Sequence, residues 1–230
     1  MSRVDVTHAD DFSEWARFIE SEHGGLDILV NNAGVTRWGA FEKQSVADID
    51  WVMDINLRGM MYGCRAFLPL LRKAEHASIV NVASMIAMMS IPMQVTYAAS
   101  KWAARGFSRA LRLELADDGI GVITVLPGTI ATGFLGRARG DNRRIMGSLA
   151  RMMEQYGTSP DYVARRILGA VRRNAKEVRI GWDCHLVAWV QFCLPGLLPT
   201  LVRFLNRRLG QKQLEGPGSA DSKSQTGVDT

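Results

Sequence analysis

Three short apolar runs, each delivering a polar or glycine-bearing turn, constrain this chain more than any other feature. Val122-Ile123-Thr124-Val125-Leu126 runs straight into Pro127-Gly128-Thr129. Ser78-Ile79-Val80-Asn81-Val82 ends at Ala83-Ser84, and Leu26-Asp27-Ile28-Leu29-Val30 ends at Asn31-Asn32-Ala33-Gly34. Strands that are apolar almost throughout are buried on both faces, which requires a parallel sheet between two layers of helices. Helical patterns separate the runs. Phe12, Trp15, Ala16 and Ile19 recur at helical spacing up to Gly24-Gly25, a long pattern extends from Val46 to Arg72 with a break expected near Pro69, and a third passes through Phe107, Leu111 and Leu115. This alternation predicts an α/β fold. Val4-Asp5-Val6-Thr7 reads as one more β-branched run, and Val178-Arg179-Ile180-Gly181 as the last strand.

Parallel sheets bind ligands in the crevice beyond the carboxyl ends of their strands. The turns at 31–34, 84 and 127–132 are therefore expected to converge on one edge, with the segment Tyr97-Ala98-Ala99-Ser100-Lys101 beside them. Four residues apart in a helix, Tyr97 and Lys101 share a face. An ammonium near a phenol favours the phenolate and eases proton exchange near neutral pH. The spacing alone equally suits a half-buried ring beside a solvated amine; it is the convergence of the three turns that points to chemistry.

Composition narrows the class. The length of 230 residues suits one domain with a substantial core. Cys64, Cys184 and Cys193 are odd in number and widely spaced, indicating neither a disulfide framework nor a zinc site, and are expected to be small core residues. Met1-Ser2-Arg3-Val4-Asp5 opens no apolar run of signal-peptide length, so a cytoplasmic location is expected. The basic character is C-terminal: residues 137–213 carry 15 Lys/Arg against 5 Asp/Glu, whereas the whole chain carries 28 against 23. No recognition motif accompanies these arginines, so nucleic acid is not expected as a partner.

With these residues assembled, the stretch from about 4 to 135 resembles the short-chain dehydrogenases/reductases. Asn31-Asn32-Ala33-Gly34 is similar to the family's N-N-A-G turn, Asn56 to its helix asparagine, and Ser84, thirteen residues before Tyr97, to its catalytic serine. Tyr97 and Lys101 match Y-x-x-x-K, and Pro127-Gly128 with Thr132 matches P-G-x-x-x-T. The resemblance implies a three-layer, Rossmann-like, doubly wound sheet and an NAD- or NADP-dependent oxidoreductase interconverting an alcohol and a carbonyl. Tyr97 would be the acid or base, Lys101 would lower its pKa and hold the nicotinamide ribose, and Ser84 would bind the substrate oxygen. Asn56 would hold a water in a proton relay. Asp5 would meet the adenine amino group; Asn31, Ala33 and Gly34 would let the backbone approach the adenosine half; and Pro127, Gly128 and Thr132 would hold carboxamide and pyrophosphate. A homodimer or homotetramer is the implied assembly.

The resemblance departs at the beginning. The family's opening strand, T-G-x-x-x-G-x-G turn and second strand, which selects NAD or NADP, have no counterpart before Val4, so an N-terminally truncated form with exposed strand edges is expected. Residues 1–183 read as this incomplete catalytic domain, with a substrate lid at about 133–160, where Phe134, Leu135, Ile145, Met146, Leu149, Met152 and Met153 suit a lipophilic substrate. Residues 184–209 read as an apolar and basic extension. Its uncharged stretch from Leu186 to Val202, broken by prolines and followed by Arg203, Arg207 and Arg208, suggests an anchor at a membrane interface, with a substrate-pocket or dimer-facing segment as the other reading. Residues 210–230 read as a disordered tail. The competing function is an inactive binding or dimerisation subunit that pairs through the helices at 46–72 and 96–116.

Overall fold

The computed structural model describes residues 3–141, 143–194, 196, 197, 200, 202 and 204; the predicted tail at 210–230 lies outside them. Helix α1 (Ala9–His23) leads to strand β1 (Ile28–Asn31) and a two-residue strand β2 (Arg37–Trp38). Helix α2 (Val46–Met53), a π-helical turn (Asp54–Arg58) and helix α3 (Gly59–Leu71) follow without interruption. Then come β3 (Ser78–Val82), α4 (Val95–Glu114), β4 (Gly121–Pro127), β5 (Arg139–Gly140), α5 (Arg143–Tyr156), α6 (Pro160–Arg172), β6 (Glu177–Ile180) and α7 (Trp182–Cys193).

The main sheet is parallel throughout, in the order β1-β3-β4-β6. Asn31 stands opposite Asn81, Val82 opposite Val125, and Pro127 opposite Ile180, so all four carboxyl ends lie on one edge. Alternate side chains feed two cores. Leu29, Ile79 and Val122 meet Phe12, Phe67 and Leu115 beneath α1, α3 and α4, and Leu126 extends that layer to Cys184 of α7. On the other face Val80, Ile123, Val125 and Ile180 lie under Val163, Ile167 and Ala170 of α6. Each such buried aliphatic side chain contributes roughly 1.5–3 kcal/mol. The result is the predicted three-layer α/β architecture.

Several local expectations are corrected. Val4 to Thr7 forms no strand: the Asp5 carboxylate accepts hydrogen bonds from the Thr7 amide at 2.9 Å and the Thr7 hydroxyl at 2.8 Å, folding the segment into a turn. Pro69 does not break the helix at 46–72, because α3 continues to Leu71 with the proline in its last turn. Cys193 is exposed, whereas Cys64 and Cys184 are buried. Among the described residues no strand pairs with the outer edge of β1, and Ile28 and Val30 are 40% and 47% exposed.

Candidate active site

The parallel register brings the predicted turns together. Past β3, Ser84 is buried and caps a short 3₁₀ turn, its Oγ accepting from the Ile86 amide at 3.2 Å. Tyr97 and Lys101 occupy the buried face of α4, at 7% and 4% exposure, which settles the choice between a buried pair and a solvated amine. The Ser84 side chain stands beside the Tyr97 phenol, where it acts to lower the phenol's pKa. Its ring packs with Ile86 and Ala98, and the Phe134 ring lies 6.1 Å away, so an apolar wall surrounds the phenol.

Burial dominates the electrostatics. It pushes the Tyr97 phenol up to about 12, with Ser84 acting in the opposite direction. It likewise pushes the Lys101 ammonium down to about 8. The expected lowering of the tyrosine pKa by Lys101 does not appear in the ligand-free protein, where Nζ sits 5.9 Å from the ring centroid and burial is the largest influence on the phenol. Lys101 donates to the Val82 carbonyl at 3.1 Å, and Nζ lies 3.5 Å from where a Cβ on Gly34 would sit. An ammonium has three donors. Among the described residues two therefore remain open beside the turn after β1, a donor set suited to neighbouring hydroxyl groups.

Asn56 sits in the π turn, fully buried. Its Nδ2 donates to the Val35 carbonyl at 2.9 Å and to Ser100 Oγ at 3.0 Å, while Oδ1 accepts from the Val35 amide at 2.8 Å. Ser100 Oγ in turn donates to the Tyr97 carbonyl at 2.7 Å. Asn56 thus ties the turn after β1 to the tyrosine helix, and both its donors are engaged by protein.

Asn31 turns into the sheet. Its Nδ2 donates to Asn81 Oδ1 at 2.8 Å and to Cys64 Sγ at 3.3 Å, and Asn81 donates to Ser108 Oγ at 3.0 Å. Gly63 makes room for it, since a Cβ there would come within 2.6 Å of Asn31 Oδ1. This places Asn31 as a brace, with Ala33 exposed and Gly34 half-buried at the crevice. Asp5 lies exposed in its own turn, and hydrogen bonds from Thr7 hold its carboxyl below the usual range.

At the end of β4, Pro127 is buried, and just past it the Gly128 amide donates to the Ile180 carbonyl at 2.8 Å. Thr132 is half-buried and donates its amide to the Ile130 carbonyl at 3.0 Å. Two contributors escaped the sequence reading. Asp183 Oδ2 accepts from the Thr129 amide at 2.6 Å, and a Cβ on Gly128 would collide with the same carboxylate. Arg37, 5% exposed, reaches Asp48 at 3.1 Å and Asp141 at 2.5 Å, fastening β2 to the segment that follows β5. An acid in the first turn of a helix was a signal for Asp183; nothing local marked its partner.

A short chain dehydrogenase family model matches residues 1–143. The chain is 38% identical over 182 residues to a 3-ketodihydrosphingosine reductase of Bacteroides thetaiotaomicron, covering 79% of this chain and 62% of that protein. It is 33% identical over 211 residues to the probable oxidoreductase EphD of Mycobacterium tuberculosis, covering 87% of this chain and 35% of that protein. The chain thus spans less than two thirds of the length of these relatives. A solved short-chain dehydrogenase from Streptomyces avermitilis superposes with a TM-score of 0.71 at 26% identity, covering 93% of this chain and 79% of that one.

Proposed function

This chain belongs to the short-chain dehydrogenase family, and on that premise we propose that it interconverts an alcohol and a carbonyl with a nicotinamide cofactor, NAD or NADP. The observation carrying the proposal is the buried Tyr97 beside Ser84, with Lys101 next to it keeping two donors open among the described residues. A buried ammonium with one carbonyl partner suits the ribose hydroxyls of such a cofactor, and the half-buried Gly34 gives them room. Gly128, Thr132 and the backbone after Pro127 would hold its carboxamide and pyrophosphate, and the turn at Asn31, Ala33 and Gly34 its adenosine half; Asp5 would reach the adenine. When bound, the nicotinamide supplies or accepts the hydride.

The chain's own residues handle the proton. In reduction Tyr97 donates from its hydroxyl to the substrate oxygen; in oxidation it takes that proton back. Ser84 Oγ hydrogen-bonds the same oxygen and stabilises the charge that develops there. Lys101, once ordered by cofactor hydroxyls, favours the phenolate. Asn56 would reach a relay water through the free lone pair of Oδ1 or through its backbone carbonyl, because both side-chain donors are engaged.

The substrate class we assign is lipophilic. Phe134, Ile86, Met89 and Ile91 line the phenol, and residues 133–160 act as a lid of which Leu135 and Met146 are the buried part and Met152 is exposed; the side chain of Ile145 lies outside the described residues. The Bacteroides relative, by its name, reduces a 3-keto compound. Assembly as a homodimer or homotetramer through α3 and α4 belongs to the same reading, with Trp102 45% exposed on α4.

Titration with NADH and NADPH, followed by nicotinamide fluorescence, tests the reading. Saturable binding retained in Tyr97→Phe, with turnover of lipophilic ketones lost, is the expected result; turnover persisting in that variant overturns the acid–base assignment. A chain that binds neither nucleotide would instead be a binding or dimerisation subunit, a reading favoured by the bare apolar face of β1.

A further inference from the structure

Helix α7 divides cleanly by face. At about 100° per residue, Trp182, Leu186, Trp189 and Cys193 fall within an arc of about 60°, with His185 and Phe192 at its margin. Trp182 is 75% exposed, Trp189 60% and Phe192 88%, and Leu186 is half exposed. The opposite face buries Cys184 and packs Val187 and Ala188 against the main core. A helix docked on its domain by one side and presenting tryptophans, leucine and phenylalanine on the other is an unpartnered apolar surface.

What lies beside that surface is cationic. Tyr162, Arg165, Arg166, Arg179, Trp182 and His185 line a groove of about 490 Å³ between α6, the outer edge of β6 and the start of α7. A second groove continues from it past Arg173. The acid lining these grooves is Glu177, which is held by Arg105 at 2.9 Å and by Arg179 at 3.2 Å. Asp183 faces inward to the Thr129 amide, and Asp161 lies in the first turn of α6. Arg165, Arg166 and Arg173 therefore present positive charge to whatever occupies the grooves. Trp182 joins the two features, since it lines the groove and opens the apolar stripe.

We propose that this face docks on an anionic phospholipid bilayer, with α7 lying in the interface and the α6–β6 groove receiving lipid phosphate. Exposed tryptophans at headgroup depth and arginines alongside an apolar stripe are what such a surface recognises. Among the described residues no helix is long and apolar enough to cross a membrane, so the contact is interfacial. A second copy is the weaker occupant on charge grounds. A two-fold interface sets each patch against itself and would bring these arginines toward their own copies. The proposal is independent of the redox chemistry, and its test measures partitioning only.

The full chain is mixed with vesicles of phosphatidylcholine, with and without phosphatidylglycerol, and bound protein is followed by sedimentation and tryptophan fluorescence. Binding to the anionic vesicles, weakened by salt, is expected. Arg165→Gln with Arg166→Gln should weaken it about twenty-five-fold, or about fivefold for each charge removed. Trp189→Ser with Phe192→Ser should diminish the blue shift, leaving the part that Trp182 reports; Arg165, Trp189 and Phe192 are exposed and Arg166 is half-buried at the groove, so thermal unfolding of each double variant is followed alongside and should change little. Vesicle binding that is absent, or indifferent to both double variants, overturns the proposal. So does a dimer broken by the α7 substitutions without vesicle binding, which assigns the face to a second copy. Binding of inorganic phosphate or an oligonucleotide, with none to vesicles, overturns it equally.

Discussion

The Asp183 carboxylate accepts a hydrogen bond from the Thr129 amide at 2.6 Å, joining the start of α7 to the turn that follows β4 across 54 residues of chain. Its other oxygen accepts from the Cys184 amide at 2.8 Å. Asp183→Ala leaves both donors without this partner and is expected to cost about 1–3 kcal/mol in urea denaturation. Gly128→Ala should also destabilise, because its Cβ would strike this carboxylate. The double variant should cost less than the sum of the two, since removing the carboxylate removes the collision. Additive costs would show that Asp183 does not set the shape of the turn.

The buried pair gives ligand-free stability a pH dependence with a defined sign. The Lys101 ammonium, ordinarily at 10.5, is pushed down to about 8 in the fold. Between those values the unfolded chain holds more protons, so stability rises with pH and is lost as pH falls toward 8. The Tyr97 phenol, ordinarily at 10.0, is pushed up to about 12. Over that second window the folded chain holds more protons, and stability falls as pH rises. Denaturation at pH 8, 9 and 10 should show the protein gaining stability relative to Lys101→Met. A flat difference would place the ammonium in water.

Arg37 acts as a strap on the lid segment. It binds Asp48 of α2 and Asp141 beyond β5, while Arg139 reaches Asp48 at 3.2 Å and stacks 4.0 Å over the Trp51 ring. Arg37→Met leaves two carboxylates facing an apolar side chain. Faster hydrogen exchange across residues 133–141, with β3 and β4 unchanged, is the expected outcome. Uniform loss of protection would mean instead that Arg37 supports the whole fold.

Thr124 Oγ1 is buried in β4 without a hydrogen-bond partner among the described residues. Thr124→Val keeps the shape and removes the desolvated hydroxyl, and should raise stability by about 1 kcal/mol, measured as a shift in the urea midpoint. A loss of stability would reveal a partner for the hydroxyl in solution.

Local physics made much of this protein legible before its structure. The apolar runs at 78–82 and 122–126 could only be buried strands, and the helical periods between them imposed parallel connections. From those alone came the layered sheet and the single edge on which Ser84, Pro127 and Gly34 gather. The spacing of Tyr97 and Lys101 put both on one face of α4. Errors fell where side chains overrode propensity, as at Val4 to Thr7, where the Asp5 carboxylate captures Thr7 and a β-branched run becomes a turn.

What the sequence determined by itself is therefore the periodic part: which segments are strands and helices, and which turns share an edge, because apolar burial repeats at short range. Only the tertiary structure decided the electrostatic and polar part. Whether the Lys101 ammonium is wet or dry, which acid holds Thr129, and that Arg37 spans 104 residues to Asp141 all depend on groups far apart in the chain. Such pairings leave no local period, since they arise from the shared loss of water when distant surfaces meet.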